Sequence, residues 1–136
     1  NIDGTAFNTF GIHRVKLADC RRLCALAREE FADIVLDARD IETNELRILL
    51  VDGSFIDVWY SLKLVGRYSY HWERRAIDGT IYRHDNAPHA RWRGVSTFPK
   101  HYHDGDEYVV VEAVSPSQED ALRQFLGFAR ERLLGR

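Results

Sequence analysis

A change to a period of two through the middle of this chain, punctuated by two Asp-Gly dipeptides, constrains it most. Leu46 to Val51 and Phe55 to Leu64, on either side of Asp52-Gly53, read with a period of two. A period of two belongs to strands with one buried face. Asp-Gly supplies the positive φ angles that a tight hairpin turn demands. A third strand follows at Arg67 to Arg75, and Asp78-Gly79 marks a second such turn into Thr80 to Asp85. These segments form an antiparallel meander, to which Tyr108 to Val114 adds a last strand.

Helical spacing flanks the meander. After Asp19, read as an N-cap, apolar residues recur at Cys20, Leu23, Cys24, Ala27, Phe31, Ile34, Val35 and Ala38. This spacing predicts one helix that ends near Asp40. Ser115-Pro116-Ser117-Gln118 combines a capping box with Pro at the first helical position. The helix it opens has a face of Leu122, Phe125, Leu126, Ala129 and Leu133 and a C-cap at Gly135. Residues 1 to 17 give no clear period beyond a short leading strand around Ile12 to Leu17. The expected fold is therefore α+β: an antiparallel four- to five-stranded meander with an N-terminal and a C-terminal helix packed on one face.

At 136 residues the chain fits a single domain spanning residues 1–136, with one core and room for one site. No apolar run approaches the ~20 residues of a bilayer-spanning helix, and the first residues lack a charged-then-apolar leader signature. No membrane association and a cytoplasmic location are the expectations. A homodimer stays open. Cys20 and Cys24, four apart on one predicted helix face, read as small buried apolar residues. Without CxxC spacing, neither zinc nor redox chemistry has support from them.

The net charge of −2 hides an uneven distribution. Between Arg67 and His103 stand seven Lys/Arg against three acids, a local +4, whereas the remainder carries twelve against eighteen, or −6. Five of the six histidines share that window. Such a segment suits a surface meeting phosphate or an acidic partner. The plainer reading is a set of solvated charges on a strand's outer face.

Alternation puts Tyr68, Tyr70 and Trp72 on one side of the third strand and Ser69, His71 and Glu73 on the other. Keeping the aromatics with Ile56, Val58, Tyr60 and Leu62 demands an odd loop around Val65-Gly66, and three residues would satisfy it. A two-residue turn at Asp78-Gly79 would set Ile77 opposite Thr80, Glu73 opposite His84 and His71 opposite Asn86.

Two Pro-containing stretches complete the polar set. Asp85-Asn86-Ala87-Pro88-His89 presents His89, and Thr97-Phe98-Pro99-Lys100-His101-Tyr102-His103 presents His101 and His103 from one side of an extended chain. RNA cleavage by acid/base catalysis needs one group to take the 2′-hydroxyl proton, another to protonate the leaving oxygen, and cations to hold the phosphate. His71, His101 and His103 are the catalytic candidates. Arg83, Asp85, Asn86, His89, Arg93 and Lys100 are the substrate-binding candidates. This metal-independent ribonuclease chemistry requires no cofactor. A metal-dependent alternative would draw on His89, His101, His103 and Asp85, though no strong zinc spacing is present. A non-catalytic binding module is the other class. There is no Gly-rich phosphate loop, nucleophile elbow or HExxH.

The run Tyr68-Ser69-Tyr70-His71-Trp72, then Asp78-Gly79, Arg83 to His89 and Thr97 to His103, resembles the TumE family, toxin components of bacterial and archaeal toxin-antitoxin pairs. The resemblance covers about residues 46 to 126 and includes the Asp-Gly hairpin and the Ser-Pro-Ser helix opening. It implies neutralisation by a helix-turn-helix antitoxin resembling TumA. It marks Tyr70, His71, Trp72, Asp85, Asn86, His89, Phe98, Pro99, His101 and His103 as family-pattern positions. Where such proteins often double the histidine, this chain has His89-Ala90 and Lys100-His101, and Arg91-Trp92-Arg93-Gly94 reads as a longer loop. Both departures favour single histidines as working groups.

Overall fold

A computed structural model describes residues 19–64, 66–85, 101–105, 110–111 and 117–135, with strand pairing alone for 101–105 and 110–111. Helix α1 (Cys20–Glu30) leads into β1 (Val35–Glu42), β2 (Glu45–Leu50), β3 (Phe55–Tyr60) and β4 (Tyr68–Arg74). A single helical turn, α2 (Arg75–Asp78), then precedes β5 (Thr80–Asp85), β6 (His101–Gly105), β7 (Val110–Val111) and α3 (Gln118–Leu134). The strands form one antiparallel sheet in chain order from β1 to β7. The α+β meander with terminal helices is thus the observed class, with seven strands rather than four or five because β1 and β6 are added. The leading strand expected at Ile12 to Leu17 lies outside the described residues.

Helix α1 stops ten residues before the expected Asp40. Its cap Phe31 leaves helical geometry at φ −126°, ψ 37°, and Ile34-Val35, β-branched and buried, turn into β1. The misleading three-residue spacing of Val35 and Ala38 has a strand explanation. A register shift between Val35 and Asp37 resets the alternation, so both residues reach the core.

The core lies between one sheet face and the two long helices. Leu46, Ile48 and Leu50 of β2, Ile56, Val58 and Tyr60 of β3, and Tyr70 and Trp72 of β4 are buried against Leu23, Cys24, Ala27, Leu122, Phe125 and Leu126. Cys20 and Cys24 are free and buried, and burial pushes the Cys24 thiol up to about 11, as an inert apolar role requires. Helix α3 begins two residues later than expected. Ser117, not Ser115, is the N-cap and accepts from the Asp120 N–H at 3.1 Å. Both serines fit a box, and the later one sets Glu119 and Asp120 in the first turn, where the helix dipole favours acids. Gly135 closes the helix at φ 76°.

Loop lengths decide the faces. The β3–β4 connection closes at Tyr60 opposite Tyr68, with the Ser61 N–H donating to Arg67 O at 2.8 Å. Seven residues intervene rather than three, still an odd number, so the aromatic row joins the core as expected. Leu62, expected in the core, is instead 59% exposed on that loop.

The second turn departs more. Its closing pair is Arg74 and Thr80, not Ile77 and Thr80, because Arg75–Asp78 coil into α2 before Gly79 at φ 82°. That shift of three residues, being odd, turns every β5 side chain to the other face. His71 therefore sits opposite Arg83 rather than Asn86, and Glu73 opposite Ile81 rather than His84. His84 enters the core side, where its Nε2 meets the Tyr68 hydroxyl at 3.1 Å and its ring stacks on Tyr70.

Edge strand β1 is blocked at its middle. The Ala38 N–H donates to the Asp37 carboxylate at 2.9 Å, and the Ala38 carbonyl accepts from the Arg28 guanidinium of α1. Side chains thereby occupy groups that a neighbouring strand could use. Replacing Arg28 by Ala should cost about 1 kcal/mol and raise self-association above the wild-type level. Sedimentation velocity over a concentration series checks this.

Candidate functional site on the open sheet face

The sheet face turned away from the helices carries a transverse polar row. Register aligns Arg47 with Asp57, Asp57 with His71, His71 with Arg83, and Arg83 with the backbone position of His103. In the adjacent row Ser69 is paired with Asp85, and Asp85 with the position of His101. Three of the expected site residues, His71, Arg83 and Asp85, are thus brought into contact, and His101 and His103 pair directly across from two of them. Asn86, His89, Arg93 and Lys100 lie outside the described residues.

His71 stands at the centre of a hydrogen-bonded chain. Its Nε2 lies 3.1 Å from Glu73 Oε1, and its Nδ1 lies 3.1 Å from Arg83 Nη1. A guanidinium can only donate, so Nδ1 accepts and Nε2 carries the proton that it donates to Glu73. The ring is held neutral in this arrangement. Burial lowers its pKa first, Glu73 pulls the other way, and the Arg83 and Arg75 charges lower it further. Glu73 is held at about 2, chiefly by Arg75, whose Nη2 and Nε donate to it at 2.7 and 3.0 Å. It is therefore ionised at neutral pH and fixes the imidazole's orientation.

Carboxylates also anchor the remaining cations of the row. Arg83 Nε donates to Asp85 Oδ2 at 2.7 Å, and the Asp85 side chain is only 7% exposed. Arg47 forks onto Asp57 at 2.7 and 2.8 Å. Around this row three arginines (Arg47, Arg75 and Arg83) meet four carboxylates (Glu45, Asp57, Glu73 and Asp85). Within the described residues the charges of this face alternate in sign, and Leu49, Phe55, Trp59 and Ile81 share the face with them. Arg91, Arg93 and Lys100, which contribute to the basic surplus of the sequence, lie outside them.

Asp57, Arg47 and Arg75 are members that sequence reasoning missed. Alternation in β3 places Asp57 on the polar face, but only the seven-residue loop sets it beside His71. Among the described residues no group of three or more His, Cys, Asp or Glu is placed to hold a metal ion. Among those residues, too, no helix is long and apolar enough to cross a membrane.

Fold and row together define a class: a small α+β domain whose helices cover one sheet face while the other presents a histidine between a carboxylate and a guanidinium. A family model described as Toxin TumE matches residues 22–133, most of the chain, and the protein belongs to that family. No curated protein and no solved structure matches it. Membership gives the chain the role of a toxin and implies an antitoxin as its partner.

Proposed function

We propose that this toxin acts on RNA from the open sheet face, without a metal, as one half of a toxin–antitoxin pair. The observation that carries the reading is the chain Glu73–His71–Arg83. A carboxylate that holds the Nε2 proton leaves Nδ1 as the basic atom, and the group at Nδ1 is a guanidinium suited to phosphate. His71 serves as the base toward a 2′-hydroxyl, and His101 or His103 returns a proton to the leaving oxygen. Arg83, with Arg93 and Lys100, holds the phosphate, while Asp85, Asn86 and His89 border the substrate. The partner is a helix-turn-helix antitoxin resembling TumA, and the pair works in the cytoplasm.

Purified protein mixed with total RNA in chelator should cleave it. Joint replacement of His101 and His103 by Ala should abolish cleavage. The second reading, a binding module without chemistry, draws on the pairing of each arginine around the row with a carboxylate. Intact RNA, with growth arrest persisting through the histidine changes, would decide for that second reading.

A further inference from the structure

Arg83 occupies two positions at once. Its Nε is tied to the buried Asp85 and its Nη1 to the lone pair of His71. The guanidinium's remaining edge makes no hydrogen bond among the described residues, and the side chain is 38% exposed. We propose that Arg83 is an anion-operated gate: a phosphate oxyanion draws its Nη1–Nη2 fork away from His71, with Asp85 as the pivot, and so uncovers Nδ1 as a base. The proposal rests on the RNA reading of the same site, since the phosphate in question is that of the substrate.

Three observations support it. As found, both ring nitrogens of His71 are engaged, so the ring can accept no proton until a partner leaves. Of the two partners, Glu73 is the harder to dislodge, because Arg75 holds it through Nε, Nη2 and a backbone N–H. Arg83 gives up less, because a guanidinium bonded to a neutral nitrogen is bound more weakly than one forked onto a phosphate. An oxyanion that takes both Nη atoms leaves the Nε bond to Asp85 intact, so a pivot of the guanidinium suffices.

The groups facing His71 are accounted for from each neighbouring strand. Asp57 on β3 is neutralised by Arg47, Glu73 on β4 by Arg75, and Asp85 on β5 by Arg83, while β6 contributes the position of His103. An arriving anion therefore meets carboxylates already paired. Once Arg83 turns to the anion, its charge is shared with the phosphate and the lowering it imposes on His71 is relieved. Withdrawing the gate thus raises the proton affinity of the base at the moment the substrate binds.

The test is a nitrogen-15 titration of the His71 imidazole in the full chain, with inorganic phosphate against chloride at equal ionic strength. In chloride the ring should appear as the Nε2–H tautomer with its midpoint below that of an ordinary histidine. Phosphate should move the midpoint to higher pH. Arg83→Gln should show the raised midpoint in chloride and no further response to phosphate. Should that variant not fold, the wild-type comparison decides alone. A His71 that responds to phosphate no more than to chloride, or responds equally in Arg83→Gln, overturns the gate. Missing phosphate response with RNA still cleaved rejects the gate and keeps the RNA reading. A full response in a protein that leaves RNA intact does the reverse.

Discussion

Replacing His71 by Gln is expected to slow RNA cleavage by about 100-fold or more, the usual contribution of a positioned general base. Glutamine keeps a polar side chain within reach of Glu73 and Arg83, so the fold and the charge lattice are preserved while the titratable nitrogen is lost. Single-turnover cleavage at saturating protein isolates the chemical step from binding. The loss should appear in that rate, with RNA affinity changed little. A variant as fast as the wild type would remove His71 from the chemistry and shift the proposal to His101 and His103.

The largest stability effect is expected at Trp72. Its side chain is 0% exposed, its Nε1 donates to the buried Ser54 Oγ at 2.8 Å, and its ring packs on Tyr82 at 5.1 Å with Phe128 edge-on at 6.3 Å. Trp72→Ala removes all of this and opens a cavity between sheet and α3, at about 3–5 kcal/mol. Small domains have about 5–15 kcal/mol in total, so this single change takes most of the reserve of a marginal one. Trp72→Phe retains ring packing and loses the Ser54 bond, costing about 1–3 kcal/mol. Urea unfolding of the two variants separates the terms. Equal losses would show that the ring contacts matter less than the indole hydrogen bond.

The periodic part of this fold was legible in the sequence. Alternation in β3 and β4 and the helical face of α3 correctly named Ile56, Val58, Tyr70, Trp72, Leu122 and Phe125 as core. What periodicity cannot carry is loop length. Ser61 to Arg67 and Arg75 to Gly79 absorb different numbers of residues, and each number fixes a parity. The first loop was seven where three was expected, which preserved the face. The second was five where two was expected, which put Arg83 in place of Asn86 opposite His71 and turned His84 into the core. Asp-Gly announced the turn, but a helical turn ahead of it, with Asp78 accepting from the Thr80 N–H and hydroxyl, was not visible in the dipeptide. The end of α1 was hidden for a related reason, since a bulged strand and a helix both bury residues three apart. The candidate site was legible as a list of residue types. Its wiring, Glu73 to His71 to Arg83 to Asp85, depended on the register.

The sequential strand order has a consequence for how the molecule comes into being. Each strand from β1 to β7 pairs with its successor, and from β1 to β5 the hairpins close over short stretches of chain and form early. The covering of its apolar face is the opposite case. Arg22 meets Glu119 and Arg123 meets Glu30 across 97 and 93 residues, and α3 leaves the ribosome after every strand it covers. A nascent chain can therefore align the His71 and Arg83 row while Tyr70 and Trp72 still lack their lid. In that interval it exposes the kind of surface that aggregates or recruits chaperones. For this toxin, arrival of α3 is the step that closes the apolar face behind a polar one already assembled.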